Sequence, residues 1–220
     1  MQVRPPGSIV KALRVSRVPL ASVAELIQRR HYLRSVPAAA TIAYAVGFEG
    51  RVVGGAILTP GGRNAHRVIV GARPGDVATL ARLWLADEIP RNAESRVLGA
   101  ILRDLRREGR FKAVVSYADP QAGHTGIVYR ASGWRYLGMT ADERYVLLSD
   151  GRLHHSRSVS SRYGSNDIGH LIRTGVPASR VTVPGKHRFI YVLDRAWSWR
   201  VRRATKNRPQ RSAPPPLAVS

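Results

Sequence analysis

Cysteine is absent from the 220 residues. That excludes a disulfide framework, a thiol nucleophile and a thiolate metal site. Long apolar runs are missing too. None approaches the ~18 residues that span a bilayer, and Met1 to Ser8 carries no apolar signal core. A cytoplasmic protein with no membrane partner is therefore expected. Acidic residues are scarce, fourteen Asp and Glu against thirty-six Lys and Arg, giving a formal net charge of +22. Lysine is scarce within that excess: Lys11, Lys112, Lys186 and Lys206 are the only ones, so arginine carries the charge. Such an imbalance attracts polyanions and speeds their encounter, which makes nucleic acid the expected partner. The charge does not say whether that nucleic acid is substrate or scaffold. A basic protein of ribosomal type, or an arginine-rich composition alone, would carry the same balance.

What is present is organised around Lys112 to Gly138. Phe111 to Tyr117 reads as a short apolar strand, broken at Asp119-Pro120 because proline donates no ladder hydrogen bond and pushes its predecessor to an extended shape. A loop with Gly123 and Gly126 follows, then a short helix from Thr125 to Ser132 stopped by Gly133, then a strand from Trp134 to Leu137. Asp119, His124 and Tyr129 thus sit at the mouth of a strand-loop-helix unit, where α/β folds place ligands.

The remainder supplies a mixed domain. Val10 to Val18 reads as a first strand. Ser22-Val-Ala-Glu25 reads as a capping box opening a helix to Arg30, ended by His31-Tyr32. Ile42 to Phe48 and Arg51 to Leu58, joined by Glu49-Gly50, read as a β-hairpin. His66 to Val70 is a possible strand. Thr79 to Ala86 reads as a buried strand, with a helix as the alternative that so short an apolar run leaves open. After the polar loop Asp87 to Ser95, apolar residues at Val97, Leu98, Ile101, Leu102 and Leu105 mark one face of a helix from Arg96 to Glu108, with Gly109 as its stop. Arg144 to Ser149 and His187 to Leu193 are further strands. From Gly151 onward the chain holds fourteen basic residues and only Asp167 and Asp194 as acids, and a Pro-rich tail beyond Arg200 is expected to be disordered.

This order resembles the GNAT acyltransferase fold, an α/β architecture with a mixed, mostly antiparallel sheet flanked by helices. The hairpin Phe48-Glu-Gly-Arg-Val-Val-Gly-Gly-Ala-Ile resembles that family's second and third strands, Thr79 to Ala86 its fourth and Val114 to Tyr117 its fifth. Val128-Tyr-Arg-Ala-Ser-Gly-Trp resembles the end of its fourth helix. One GNAT-like family matches more sharply. Ser116-Tyr-Ala-Asp-Pro, Gly123-His, Tyr129-Arg-Ala-Ser-Gly-Trp-Arg-Tyr-Leu-Gly, the upstream Leu83-Trp-Leu-Ala-Asp-Glu-Ile-Pro-Arg-Asn-Ala-Glu-Ser and His31-Tyr32 resemble the phage Mom DNA-modification proteins. The likeness covers roughly residues 20–150, a pattern far more specific than a lone short motif.

The resemblance implies a catalytic domain over residues 1–150, a basic extension with a further strand over 151–199 and a tail over 200–220. It implies modification of adenine N6 in double-stranded DNA with a carbamoylmethyl-type group that blocks restriction, in the host cytoplasm. The implied donor is acetyl-CoA or a related acyl-CoA, and an iron is also implied. Tyr129 would protonate the leaving thiolate or position the acyl group; a core aromatic is the plainer alternative. Asp119 would act as a general base or accept from the adenine amine; an Asp-Pro turn former is the alternative. His31 and Tyr32 would recognise the base, or else simply end a helix. His31, Asp119 and His124 are the candidate iron ligands. Arg82, Arg91, Ser95 and Arg96 would hold the donor, although Ser95 could instead cap the helix. The family's pyrophosphate loop carries glycines, and Pro90-Arg-Asn-Ala-Glu-Ser-Arg has none. Amides at the helix start, with Arg91 or Arg96, are then the expected phosphate holders. A GNAT enzyme acting on a modified pyrimidine, a protein or a small amine, and a basic DNA-binding protein without catalysis, remain alternatives. The oligomeric state is open, a homodimer included.

Overall fold

The computed structural model describes residues 5–62 and 64–202. Helix α1 (Pro6–Ala12) is followed by strand β1 (Arg14–Val18). The single strand read from Val10 to Val18 is thus half helix: Ile9, Val10 and Leu13 pack into the core together. Helix α2 (Ala21–Arg30) starts before Ser22, so the capping box does not form. Its first amides donate instead to the carbonyls of Pro19 and Leu20.

Strands β2 (Ile42–Phe48) and β3 (Arg51–Thr59) form the expected hairpin. Glu49 and Gly50 both hold positive φ, 47° and 76°, the two-residue turn whose twist matches that of the strands. His66 to Val70 is not a strand. Ala65–Val68 is a 3-10 helix with Ala65 and Val68, three residues apart, both buried, and Ile69 adds one bridge to Val201. Strand β4 (Val77–Leu85) is as read. Helix α3 (Ala93–Glu108) begins three residues earlier than the periodicity suggests, so Ser95 lies inside its first turn and is not its cap.

Strand β5 (Ala113–Ala118), helix α4 (Ile127–Ala131), strand β6 (Arg135–Met139) and strand β7 (Glu143–Leu148) follow. Four further elements lie in the stretch read only as a basic extension: β8 (Leu153–His155), α5 (Ser156–Tyr163), α6 (Ile168–Arg173) and β9 (Ala178–Val183). Strand β10 (His187–Val192) precedes a last 3-10 helix, Arg195–Arg200.

The architecture is the mixed, mostly antiparallel α/β arrangement expected. Seven strands run in the order β1-β2-β3-β4-β5-β10-β6. β4 and β5 are parallel, and the other neighbours are antiparallel. One face is covered by α1, α3 and α4, with Leu98, Ile101 and Leu105 against Tyr44, Leu58, Val114 and Phe189. The other carries α2 through Val23 and Ile27, and the two longer 3-10 helices through Ala65, Val68 and Trp197. A second sheet, β8-β7-β9, packs on α5 and α6 around Val146, Leu148, Val159 and Leu171. It is inserted between β6 and β10. A boundary at residue 150 therefore falls in the turn between two paired strands, β7 and β8, and β10 belongs to the large sheet. Of the expected tail, residues 203–220 lie outside the described residues.

Gly126 fixes how α4 leaves the sheet. It caps the helix at φ 76°, and a Cβ there would stand 2.2 and 2.3 Å from the Phe189 ring. That ring is fully buried and wedged against Tyr129 and Tyr136, so it has no room to yield. Gly126→Ala is expected to cost about 2–4 kcal/mol, measured as a loss in the urea-unfolding free energy with the slope unchanged.

Candidate active site

The site begins as a defect in pairing. Val77, Ala78, Thr79 and Leu80 pair in parallel with Ala113, Val114, Val115 and Ser116, and there the pairing stops. β4 runs on to Leu85 while β5 ends at Ala118. The cause is a bulge. Ile57 of β3 faces Arg82 and Leu58 faces Leu80, which leaves Ala81 as an extra residue. A bulge bends its strand and increases its twist. β4 diverges from β5 at that point, and a cleft of about 430 Å³ opens between them.

Two hydroxyls close the cleft floor. Ser116 is 1% exposed, and its Oγ lies 2.9 Å from the Leu80 carbonyl and 2.8 Å from the Tyr129 oxygen. α4 carries Tyr129, whose ring is held between Trp134 and Phe189 at centroid distances of 5.2 and 5.1 Å. Burial pushes its phenol above the ordinary tyrosine range, and the bond from Ser116 works against that.

His31 and Tyr32 form the next part of the wall. Their rings lie 4.5 Å apart, and His124 meets Tyr32 edge-on at 4.9 Å. His31 is 6% exposed, and burial, then the neighbouring Arg82 and His124, lower its pKa to about 4. It is therefore neutral, and the cations in the last turn of α2 are Arg29 and Arg30 instead. Its Nδ1 accepts from the Leu33 amide at 3.1 Å, so the proton sits on Nε2. Tyr32 remains 45% exposed. Arg82 lines the cleft and braces this segment, donating to the Ser35 carbonyl at 2.9 Å, the Ser35 hydroxyl at 3.0 Å and the Ala81 carbonyl at 2.7 Å.

Asp119 stands just past the wall residue Ala118. One carboxylate oxygen accepts from the Gln121 amide at 3.0 Å, capping the 3-10 turn Pro120–Ala122. The other is 3.4 Å from Lys186 Nζ. The turn-forming role is thus real, and Asp119 is also close enough to act electrostatically on Tyr32.

The expected donor residues gather less well. Arg91 and Ser95 do not line the cleft. Arg96 is turned away, donating to the Lys11 carbonyl at 3.0 Å. Asp87 and Glu94 occupy that end instead, and Glu94 Oε2 is buried with no hydrogen-bond partner among the described residues. The iron set fares worse. No group of three His, Asp or Glu side chains stands together among the described residues. His31 Nδ1 and both Asp119 oxygens are engaged elsewhere, so these residues do not fit an iron site. Sequence reasoning missed Ser116, Glu94 and the pairing of Lys186 with Asp119. Two had signals: Ser116 is the polar interruption in Ala-Val-Val-Ser-Tyr-Ala, and Lys186 is a rare lysine in an arginine-rich chain.

The model of the Mom protein family matches residues 12–210. The chain belongs to that family. It is 28% identical over 191 residues to the methylcarbamoylase Mom of Escherichia phage Mu, covering 84% of this chain and 77% of that one. Among solved structures it is similar to the ribosomal-protein-S18-alanine N-acetyltransferase of Escherichia coli, with a TM-score of 0.45, 13% identity and coverage of 83% of this Mom-family chain and 94% of that one. It is also similar to an aminoglycoside acetyltransferase in complex with coenzyme A and kanamycin, with a TM-score of 0.42, 14% identity and coverage of 70% and 99%. Among the described residues of this Mom-family protein no helix is long and apolar enough to cross a membrane.

The neutral His31 makes stability depend on pH. As pH falls, the unfolded chain takes up this proton near 6.5 while the folded chain resists until about 4. Stability is therefore expected to fall as pH drops from about 6.5 to about 4. His31→Asn, which keeps an acceptor for the Leu33 amide, should flatten that slope in urea midpoints taken across the window.

Proposed function

We propose that this Mom-family protein transfers a carbamoylmethyl- or acyl-type group to the N6 amine of adenine in double-stranded DNA, protecting that DNA from restriction in the host cytoplasm. The observation that carries the reading is the convergence of Tyr32, His31, Arg82, His124 and Tyr129 on one cleft with Asp119 at its edge, in a chain of charge +22.

A duplex base must leave the stack to enter such a cleft, which costs a few kcal/mol and is offset by phosphate contacts and stacking. Exposed Tyr32 offers the stacking face. Arg144, Arg157, Arg162 and Arg180, exposed on the second sheet and its helices, offer phosphate contacts. The adenine amine is a weak nucleophile because its lone pair is delocalised into the ring. Asp119, 3.4 Å from Lys186, takes the amine proton as the new N–C bond forms. The bond from the transferred carbon to its leaving group breaks in the same event. The leaving atom keeps the electron pair and receives the phenolic proton of Tyr129.

The donor arm of the cleft fits an extended acyl-CoA chain. Past Leu80 the edge of β4 has no strand opposite, and α3 starts without a side-chain cap, leaving first-turn amides for a phosphate. When bound, an acyl-CoA would supply an activated thioester carbon, which accounts for an acyl-type product. Glu94, in that same turn, opposes a phosphate by charge.

The decisive experiment is nucleoside mass spectrometry on plasmid DNA from cells expressing the protein. A new adenosine-derived mass is expected, reduced at least about 100-fold in Tyr129→Phe and in Asp119→Asn with DNA affinity retained. A mass on a pyrimidine would move the acceptor, and unchanged nucleosides from soluble protein would overturn the reading. Separately, Glu94→Gln is expected to tighten coenzyme A about 3- to 10-fold by calorimetry, because a carboxylate facing the diphosphate is neutralised.

A further inference from the structure

Ser116 has one hydroxyl proton and two acceptors in reach: the Leu80 carbonyl at 2.9 Å and the Tyr129 oxygen at 2.8 Å. It can serve only one at a time. With its proton on Leu80, the Tyr129 hydroxyl must donate back to Ser116. With its proton on Tyr129, the phenolic hydroxyl is free to point into the cleft. No water replaces either arrangement, because Ser116 is 1% exposed. Tyr129 itself cannot move to choose between them. Its ring is clamped by Trp134 and Phe189, and Gly126 fixes the start of its helix against the same Phe189 ring. The mobile part is the serine hydroxyl rotor. Its anchor, the Leu80 carbonyl, belongs to the last residue of β4 that pairs with β5.

We propose that Ser116 is a positioning residue that switches its hydrogen bond from the Leu80 carbonyl to the Tyr129 oxygen, aiming the phenolic proton into the cleft and then holding the phenolate. This rests on the role of Tyr129 proposed above. The balance is simple. The Tyr129 O–H bond breaks, and its proton joins the leaving atom, which already holds the electron pair of the bond it left. Ser116 donates to the phenolate oxygen. Water in the open cleft later carries the proton held by Asp119 back to Tyr129, and Ser116 turns back to Leu80. A phenolate in so buried a place has little solvent to stabilise it, so one hydrogen bond to the charged form carries most of the burden.

The test uses the full chain with 3-fluorotyrosine at position 129, which lowers the phenol into a measurable range and reports its ionisation by fluorine NMR. Ser116→Ala is expected to raise the titration midpoint by about one to two pH units. It should also lower turnover about 10- to 100-fold with KM unchanged. Ser116→Cys keeps the volume and a weaker donor, so it should fold even where alanine does not and raise the midpoint by a smaller step. A midpoint unmoved in both variants overturns the proposal. A shifted midpoint in a protein whose parent chain yields no modified nucleoside would keep the switch and remove only the reaction assigned to it.

Discussion

The parallel pairing of β4 with β5 lasts four residues, and the rest of the site depends on its ending where it does. Parallel ladders are ordinarily buried and continuous, with helices on both faces. Here the bulge at Ala81 turns the second half of β4 aside, so a gap opens in the middle of a sheet rather than at its rim. That position gives the cleft firm walls. Its floor is Ser116, at the last paired position and locked into the large core. Its sides are the strand edges themselves. Loops contribute the rings of His31, Tyr32 and His124, and Arg82 braces the first two through Ser35.

Much of this was legible from residue pattern. The turn at Glu49-Gly50, the apolar face of α3 and the Asp119-Pro120 break each follow from local chemistry, and each is found where that chemistry puts it. Local chemistry fails where tertiary contacts decide. Val10 to Val18 alternates well enough for a strand, yet Ile9, Val10 and Leu13 are recruited together by the core beneath α3. Ser22 and Glu25 have capping-box spacing, but the carbonyls of Pro19 and Leu20 already serve the first amides, so the helix starts earlier. Of the second sheet only β7 was legible, because β8 is three residues long and its arginines mask a small core around Val146 and Leu171. In the site, the aromatic and imidazole residues were readable as a group. Ser116 and Glu94 were not, because their importance lies in which neighbour they face.

Charge is handled differently inside and outside the cleft. Outside, arginine is abundant and exposed. Inside, His31 is held neutral, Arg82 is consumed by backbone and serine partners, Asp119 at the edge faces a lysine, and Asp87 and Glu94 stand at the other end. Such an interior discriminates by hydrogen-bond direction more than by net charge. The outer surface attracts polyanions by charge, and the cleft does not.

The place of β10 has a consequence for how the chain is made. It lies between β5 and β6, although the whole second sheet separates it from β6 in sequence. Until its residues leave the ribosome, β5 has only β4 beside it, and β6 has no neighbour in the large sheet. Phe189, which backs Tyr129, arrives in that same late segment. The large sheet cannot finish assembling before β10 is made, and an apolar sheet edge is exposed meanwhile. During synthesis, the interval between the appearance of β5 and that of β10 is when the edge of the large sheet has no partner strand.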